Sequence, residues 1–139
     1  MDGRRKLLGT FSAAWSAKDV DALMDLMAQD CEFRSSVGPE PGGVFLGREE
    51  VRRGFGLYLA PAGASAEVEV EVEVVMAPDL ISEHFGVTRW TATSHHPDGT
   101  TTVVRACDVF EFEGALIRSK DTYRKMFGAL PSGPDHVEL

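Results

Sequence analysis

Cysteine is scarce in this chain of 139 residues: Cys31 and Cys107 are the two, and neither stands in a Cys-x-x-Cys pair. That excludes a disulfide framework and a dithiol redox motif, and both thiols are expected to be reduced and buried. No apolar run approaches the roughly 18 residues that a membrane-spanning helix needs. Arg4-Arg5-Lys6 is followed by Leu7 and Leu8 but then by Thr10, Ser12 and Ser16, which is not the core of a signal peptide. The expectation is a soluble, cytoplasmic protein with no membrane partner. Basic residues are in deficit, 14 against 22 acidic ones, for a net charge of −8, so nucleic acid is not an expected partner either. Gly-rich phosphate loops, a Gly-x-Ser-x-Gly elbow and recognisable metal-ligand spacings are missing, and Ser35 has no histidine beside it in sequence. No metal, no cofactor and no serine or cysteine nucleophile are therefore expected.

With 43% apolar and 26% charged residues, the chain can bury one substantial core. Leu7, Phe11 and Trp15 recur at four-residue spacing and predict a helix over about residues 3 to 17. Asp19 offers an N-cap to a second helix, with Val20, Leu23, Met24 and Met27 as its buried stripe, ending near Gln29. Cys31, Phe33 and Ser35 alternate with Glu32 and Arg34 as a half-buried strand does, before the Gly38 to Gly43 loop, which should lie over an opening. Gly47 begins a third helix, carrying Val51, Phe55 and Leu59 on one face and stopping at Pro61. Four long strands follow. In Glu67 to Val74 every valine shares one face and every glutamate the other. Turns at Pro78-Asp79, at His96 to Gly99 and at Gly114-Ala115 separate this strand from Leu80 to Ser94, Thr101 to Glu113 and Leu116 to Met126. Residues 1–130 read as a single domain and 131–139 as a mobile tail. The pattern predicts an α+β fold, a strongly curved antiparallel sheet wrapped as a cone around three helices, with a cavity under the sheet.

The element order, together with Phe11-Ser-Ala-Ala-Trp-Ser-Ala-Lys-Asp-Val-Asp-Ala-Leu, Val37-Gly-Pro-Glu-Pro and Asp108-Val-Phe-Glu-Phe-Glu-Gly114, resembles the nuclear transport factor 2-like superfamily. Within it, the chain over about residues 4 to 127 is most similar to ketosteroid isomerases and SnoaL-like polyketide cyclases. The resemblance implies the cone-shaped fold and a homodimer formed through the outer sheet face. The superfamily also holds epoxide hydrolases, dehydratases and non-catalytic binding modules, so the fold alone does not select an activity. Where a ketosteroid isomerase carries its oxyanion-hole tyrosine this chain has Phe11, and at the base position it has Ser35. Asp108 matches the second oxyanion donor. Asp121 falls where SnoaL-like cyclases and limonene-type epoxide hydrolases carry a catalytic aspartate.

A two-residue turn at Gly114-Ala115 would place Asp108 directly opposite Asp121, on a face shared with Phe110, Phe112, Ser119 and Tyr123. Two carboxylates about 5 Å apart in an apolar pocket cannot both ionise easily, which makes an acid and base pair. Alternatively, one aspartate points to solvent, or Arg105 or Lys120 neutralises it. A slip of one residue in the pairing would separate the two faces. Arg89 could enter the same cavity on the parity of Phe85 and Val87, or Trp90 could take the inside and leave Arg89 exposed; His84 shares the parity of Trp90. The candidate catalytic residues are thus Asp121 as general base, with Asp108 or Arg89 stabilising an enolate or alkoxide. Phe11, Trp15, Met27, Phe33, Ser35, Phe55, Tyr58, Phe110, Ser119 and Tyr123 are the candidate pocket lining. Such a lining suits a hydrophobic, oxygenated small molecule of polyketide, terpenoid or steroid type. The two functional classes are a cofactor-independent enzyme of isomerisation, cyclisation or hydration, and a binding or interaction module of the same fold.

Overall fold

The computed structural model describes residues 2–39, 42–59, 69–75 and 80–126. The order is α1 (Asp2–Ser16), α2 (Val20–Asp25), β1 (Met27–Arg34), β2 (Val44–Leu46), α3 (Gly47–Leu59), β3 (Glu69–Val75), β4 (Phe85–His95), β5 (Thr101–Glu113) and β6 (Leu116–Arg124). Helix α1 forms on the expected stripe, and its Leu8 and Phe11 are fully buried. Lys18, in the left-handed region at φ 57°, reverses the chain. The Asp19 carboxylate then accepts a hydrogen bond from the Ala22 N–H and caps α2.

That second helix is shorter than its pattern suggests. It ends at Asp25, and Met27, Ala28 and Gln29 already belong to β1. Met27 satisfies both periods, since it is buried at 1% exposure as a strand residue and a short apolar run does not tell helix from strand. The second difference is β2, three residues that pair antiparallel with β1 just before α3. The third helix is where the pattern puts it, with Val51 and Phe55 fully buried. The expected stop at Pro61, the turn at Pro78-Asp79, the Glu67-Val68 start of the alternating strand and the tail lie outside the described residues.

All six strands form one sheet in the order β2-β1-β6-β5-β4-β3, with β2 and β3 at its open edges. The α+β fold stands, but the sheet is not wholly antiparallel: β1 and β6 run parallel. Pairing β6 between β1 and β5 draws the first and last strands together and lets the sheet curve over the helices. Phe11 packs edge-on against Phe110 at 5.3 Å and against Phe55 at 6.0 Å, tying α1, β5 and α3 into one core. Gly86 lets α1 approach β4, because a Cβ there would stand 2.8 Å from the Leu8 side chain and 3.0 Å from the Phe112 ring. Arg4 lies over the Phe112 ring and donates to the carbonyls of Glu83 and Gly114, closing this narrow end. At the other end, among the described residues, no helix covers β3, and its inward Val70 and Val72 stay about half exposed.

Candidate active site

Strand register decides which side chains enter the space under the sheet. Inner-face rows can be followed across the strands: Gly86, Phe110 and Lys120; then Thr88, Asp108 and Thr122; then Val74, Trp90, Ala106 and Arg124. Phe33 of β1 stands beside Lys120 and extends the first row. These rows bound a cavity of about 300 Å³, floored by Phe11 and Phe110 and walled by Trp15, Phe33, Tyr58, Trp90 and the valines of β3. The alternation of the glutamate-valine strand therefore has a use: Val70, Val72 and Val74 line the cavity.

The polar centre of this apolar space is a three-residue cluster. Lys120 Nζ lies 3.1 Å from Asp108 Oδ1 and donates a second hydrogen bond of 2.7 Å to Thr122 Oγ1. The Thr122 hydroxyl in turn donates to the same Asp108 Oδ1 at 2.6 Å. Lys120 is 4% exposed and Asp108 7%. The ammonium also sits 4.6 Å from the centre of the Trp15 ring and 4.9 Å from that of Phe33, in an aromatic box. Both side-chain hydrogen bonds that Asp108 accepts from described residues fall on Oδ1, which leaves the lone pairs of Oδ2 for a ligand in the cavity. Ser35 lies at the rim, buried, accepting from Gly43 N–H at 3.2 Å and holding the loop after β1 against the opening.

Asp121 is not part of this cluster. β5 and β6 pair Phe112 with Ile117 but Glu111 with Ser119, so Arg118 is an extra residue and a bulge shifts everything beyond it by one position. Asp108 therefore opposes Thr122, and Asp121 opposes Val109 on the outer face, where its carboxylate accepts a 3.0 Å hydrogen bond from the Tyr123 hydroxyl. The same shift puts Tyr123 outside at 57% exposure, and sets Phe110 opposite Lys120, not Ser119. Ser119 is buried in the sheet beside Glu111 and Glu32 and does not line the cavity. Met27 and Phe55 are core, packed behind the lining. Phe11, Trp15, Phe33, Ser35, Tyr58, Phe110 and Asp108 line the cavity.

On β4 the tryptophan wins the inside. Trp90 faces the cavity, while Arg89 opposes Cys107 and Val75 on the outer face. Arg89 joins Glu73, Arg105, Cys107 and Tyr123 around an outer groove of about 600 Å³ that meets the cavity at Trp90 and Arg124, which line both. Burial pushes the Cys107 thiol up, with the charges of Asp108 and Asp121 adding to it, and burial raises Cys31 as well, so neither is a ready thiolate. His84 is exposed, and His96 contacts Thr102 at 2.8 Å near the far ends of β4 and β5. Among the described residues no three His, Cys, Asp or Glu side chains are grouped to hold a metal ion. Among the lining residues that the sequence pattern does not single out are Thr88 of β4 and Lys120, Thr122 and Arg124 of β6. For the three on β6 the signal is the alternation of that strand, readable only with the bulge in place.

Residues 8–120 match the profile of a family described as SnoaL-like domain. No functionally curated protein matches the chain. Among solved structures it is similar to SalBIII, described as an epoxide hydrolase/cyclase-like enzyme in pyran ring formation in the polyether salinomycin, at 21% identity over 88% of this chain and 91% of that one, TM-score 0.62. It is also similar to a putative polyketide cyclase from Xanthomonas campestris pv. campestris, at 16% identity over 88% and 90% of the two chains, TM-score 0.60. A putative isomerase from Bacillus subtilis matches at 13% identity over 89% and 87%, TM-score 0.65. At these identities the likeness is one of fold.

Proposed function

From the premise that the chain belongs to the SnoaL-like domain family, we propose a cofactor-independent acid/base enzyme acting on a hydrophobic, oxygenated small molecule. The reaction class is isomerisation, cyclisation or hydration, and the base is Asp108. The observation that carries this reading is the cluster itself: a carboxylate with Oδ2 open to an apolar cavity and Oδ1 bound by Lys120 and Thr122.

A carbonyl compound seated against Trp90 and the β3 valines brings an α-carbon to Oδ2. When Asp108 takes the proton it loses its charge, and Lys120 loses its counter-charge at the moment the substrate oxygen gains one. The ammonium then compensates the enolate in place of the carboxylate, so the buried charge count does not change and no new desolvation is needed. Returning the proton to another carbon isomerises the substrate. Attack of the enolate carbon on a second carbonyl closes a ring, the resulting alkoxide taking the proton back from Asp108; in hydration, water gives a proton to Oδ2 as its oxygen adds to an electrophilic carbon, and the oxygen left negative there takes that proton.

A binding module without chemistry is the second reading, favoured by the internal satisfaction of Asp108 and Lys120 by each other. Deuterium exchange separates the two. In D2O the enzyme reading expects wild-type protein to exchange the α-protons of bound 2-octanone well above the buffer rate, and Asp108→Asn to lose about 10²–10⁴-fold of that rate. Binding without exchange would leave the module. The same proposal includes a homodimer through the outer sheet face.

A further inference from the structure

Lys120 and Asp108 cancel each other, but the cavity wall carries one more charge. Arg124 lies two residues beyond Thr122 on the inner face, is exposed, and lines the cavity opposite Ala106. No carboxylate among the described residues pairs with it. The cavity-lining ionisable groups Asp108, Lys120 and Arg124 thus leave an uncompensated positive charge, in a chain whose net charge is −8. An acidic protein gains nothing for its apolar ligand from a lone cation at the edge of the site, whereas an anionic ligand is drawn to it.

We infer that the substrate is an amphipathic acid, its carboxylate held by Arg124 while its oxygenated carbon lies at Asp108 and Lys120. This rests on the acid/base reading for the identity of the reacting end only. The geometry also sets a length. Along β6 the rise per residue puts Arg124 about 7 Å beyond Thr122 and about 13 Å beyond Lys120. Carboxylate and reacting carbon are therefore separated by a short apolar spacer, with Trp90 as the flat wall on which it lies. Ala106, small and set between Trp90 and Arg124 in the same row, leaves room for the carboxylate to reach the guanidinium. Arginine's planar fork suits a bidentate carboxylate contact.

The probes are 7-oxooctanoate, whose extended length from ketone to carboxylate matches the shorter separation, its methyl ester, and 2-octanone. Binding is followed by the fluorescence of Trp15 and Trp90, both on the cavity wall and the chain's two tryptophans. Wild-type protein should bind the acid about fivefold or more tighter than the ester. Arg124→Gln should abolish that preference, the acid falling to the affinity of the ester. Equal affinity for acid and ester in the wild type, no binding of the acid, or a preference that survives Arg124→Gln would overturn the inference. The acid/base reading fails separately, through absent exchange with the acid preference intact.

Discussion

Lys120 and Asp108 stand 3.1 Å apart at 4% and 7% exposure, so each charge is buried with its counter-charge. Removing one partner strands the other in an apolar cavity, and Lys120→Met should cost about 3–5 kcal/mol by urea denaturation. The double variant Lys120→Met/Asp108→Asn should recover most of that loss, since neither charge remains; a double variant as unstable as the single one would count against a buried pair. A different carboxyl responds to pH. Glu113 is pushed above its ordinary value, first by a hydrogen bond with Asp30 and then by the charge of that group. Such a carboxyl stabilises the fold while protonated, fully so below its unfolded value, and loses that contribution as pH rises through its folded one. Glu113→Gln should therefore melt with the wild type at about pH 3.5 and above it at about pH 7. Identical melting temperatures at both pH values would contradict the contact.

At the level of elements, β6 decides the site. Without its bulge the strand would set Asp121 against Asp108, as a count outward from the Gly114-Ala115 turn gives; with Arg118 extruded it sets Thr122 there and turns Lys120 inward. Bulges answer to sheet curvature and to the parallel pairing with β1, which are long-range properties that a local turn count does not contain. That is why helices α1 and α3, the glutamate-valine alternation of β3, the cavity and Asp108 were legible from residue pattern, and the partner of Asp108 was not. Lys120, one of the two neutralising groups the sequence offers, stands 3.1 Å from Asp108. Trp90 and Arg89 were ambiguous by parity alone, and burial of the larger apolar ring settled them. Deleting Arg118 should remove the bulge yet keep Ser119 opposite Glu111 and Lys120 opposite Phe110. The deletion variant is expected to retain the tryptophan fluorescence response to 2-octanone, and a folded variant that has lost it would contradict the register.

Over the whole molecule, the charge of −8 is distributed by face. Glu71 and Glu73 lie on the outer side of β3, Glu71 3.5 Å from His95 and Glu73 in the outer groove with Arg89 and Arg105, while the valines between the glutamates face the ligand space. The outer face also exposes Val75, Phe85 and Tyr123, an apolar and mixed-charge surface that a second copy can cover. Sedimentation velocity should accordingly show a dimer, and Tyr123→Glu should shift it toward monomer; a wild-type monomer at all concentrations would contradict the proposed assembly. Asp108 faces the cavity and Asp121 does not. NMR-monitored α-proton exchange of 2-octanone in D2O, run side by side on wild type, Asp108→Asn and Asp121→Asn, tests the acid/base reading directly. Exchange should fall to the buffer rate in Asp108→Asn and stay within about twofold of wild type in Asp121→Asn. Loss of exchange in Asp121→Asn with exchange retained in Asp108→Asn would contradict the account.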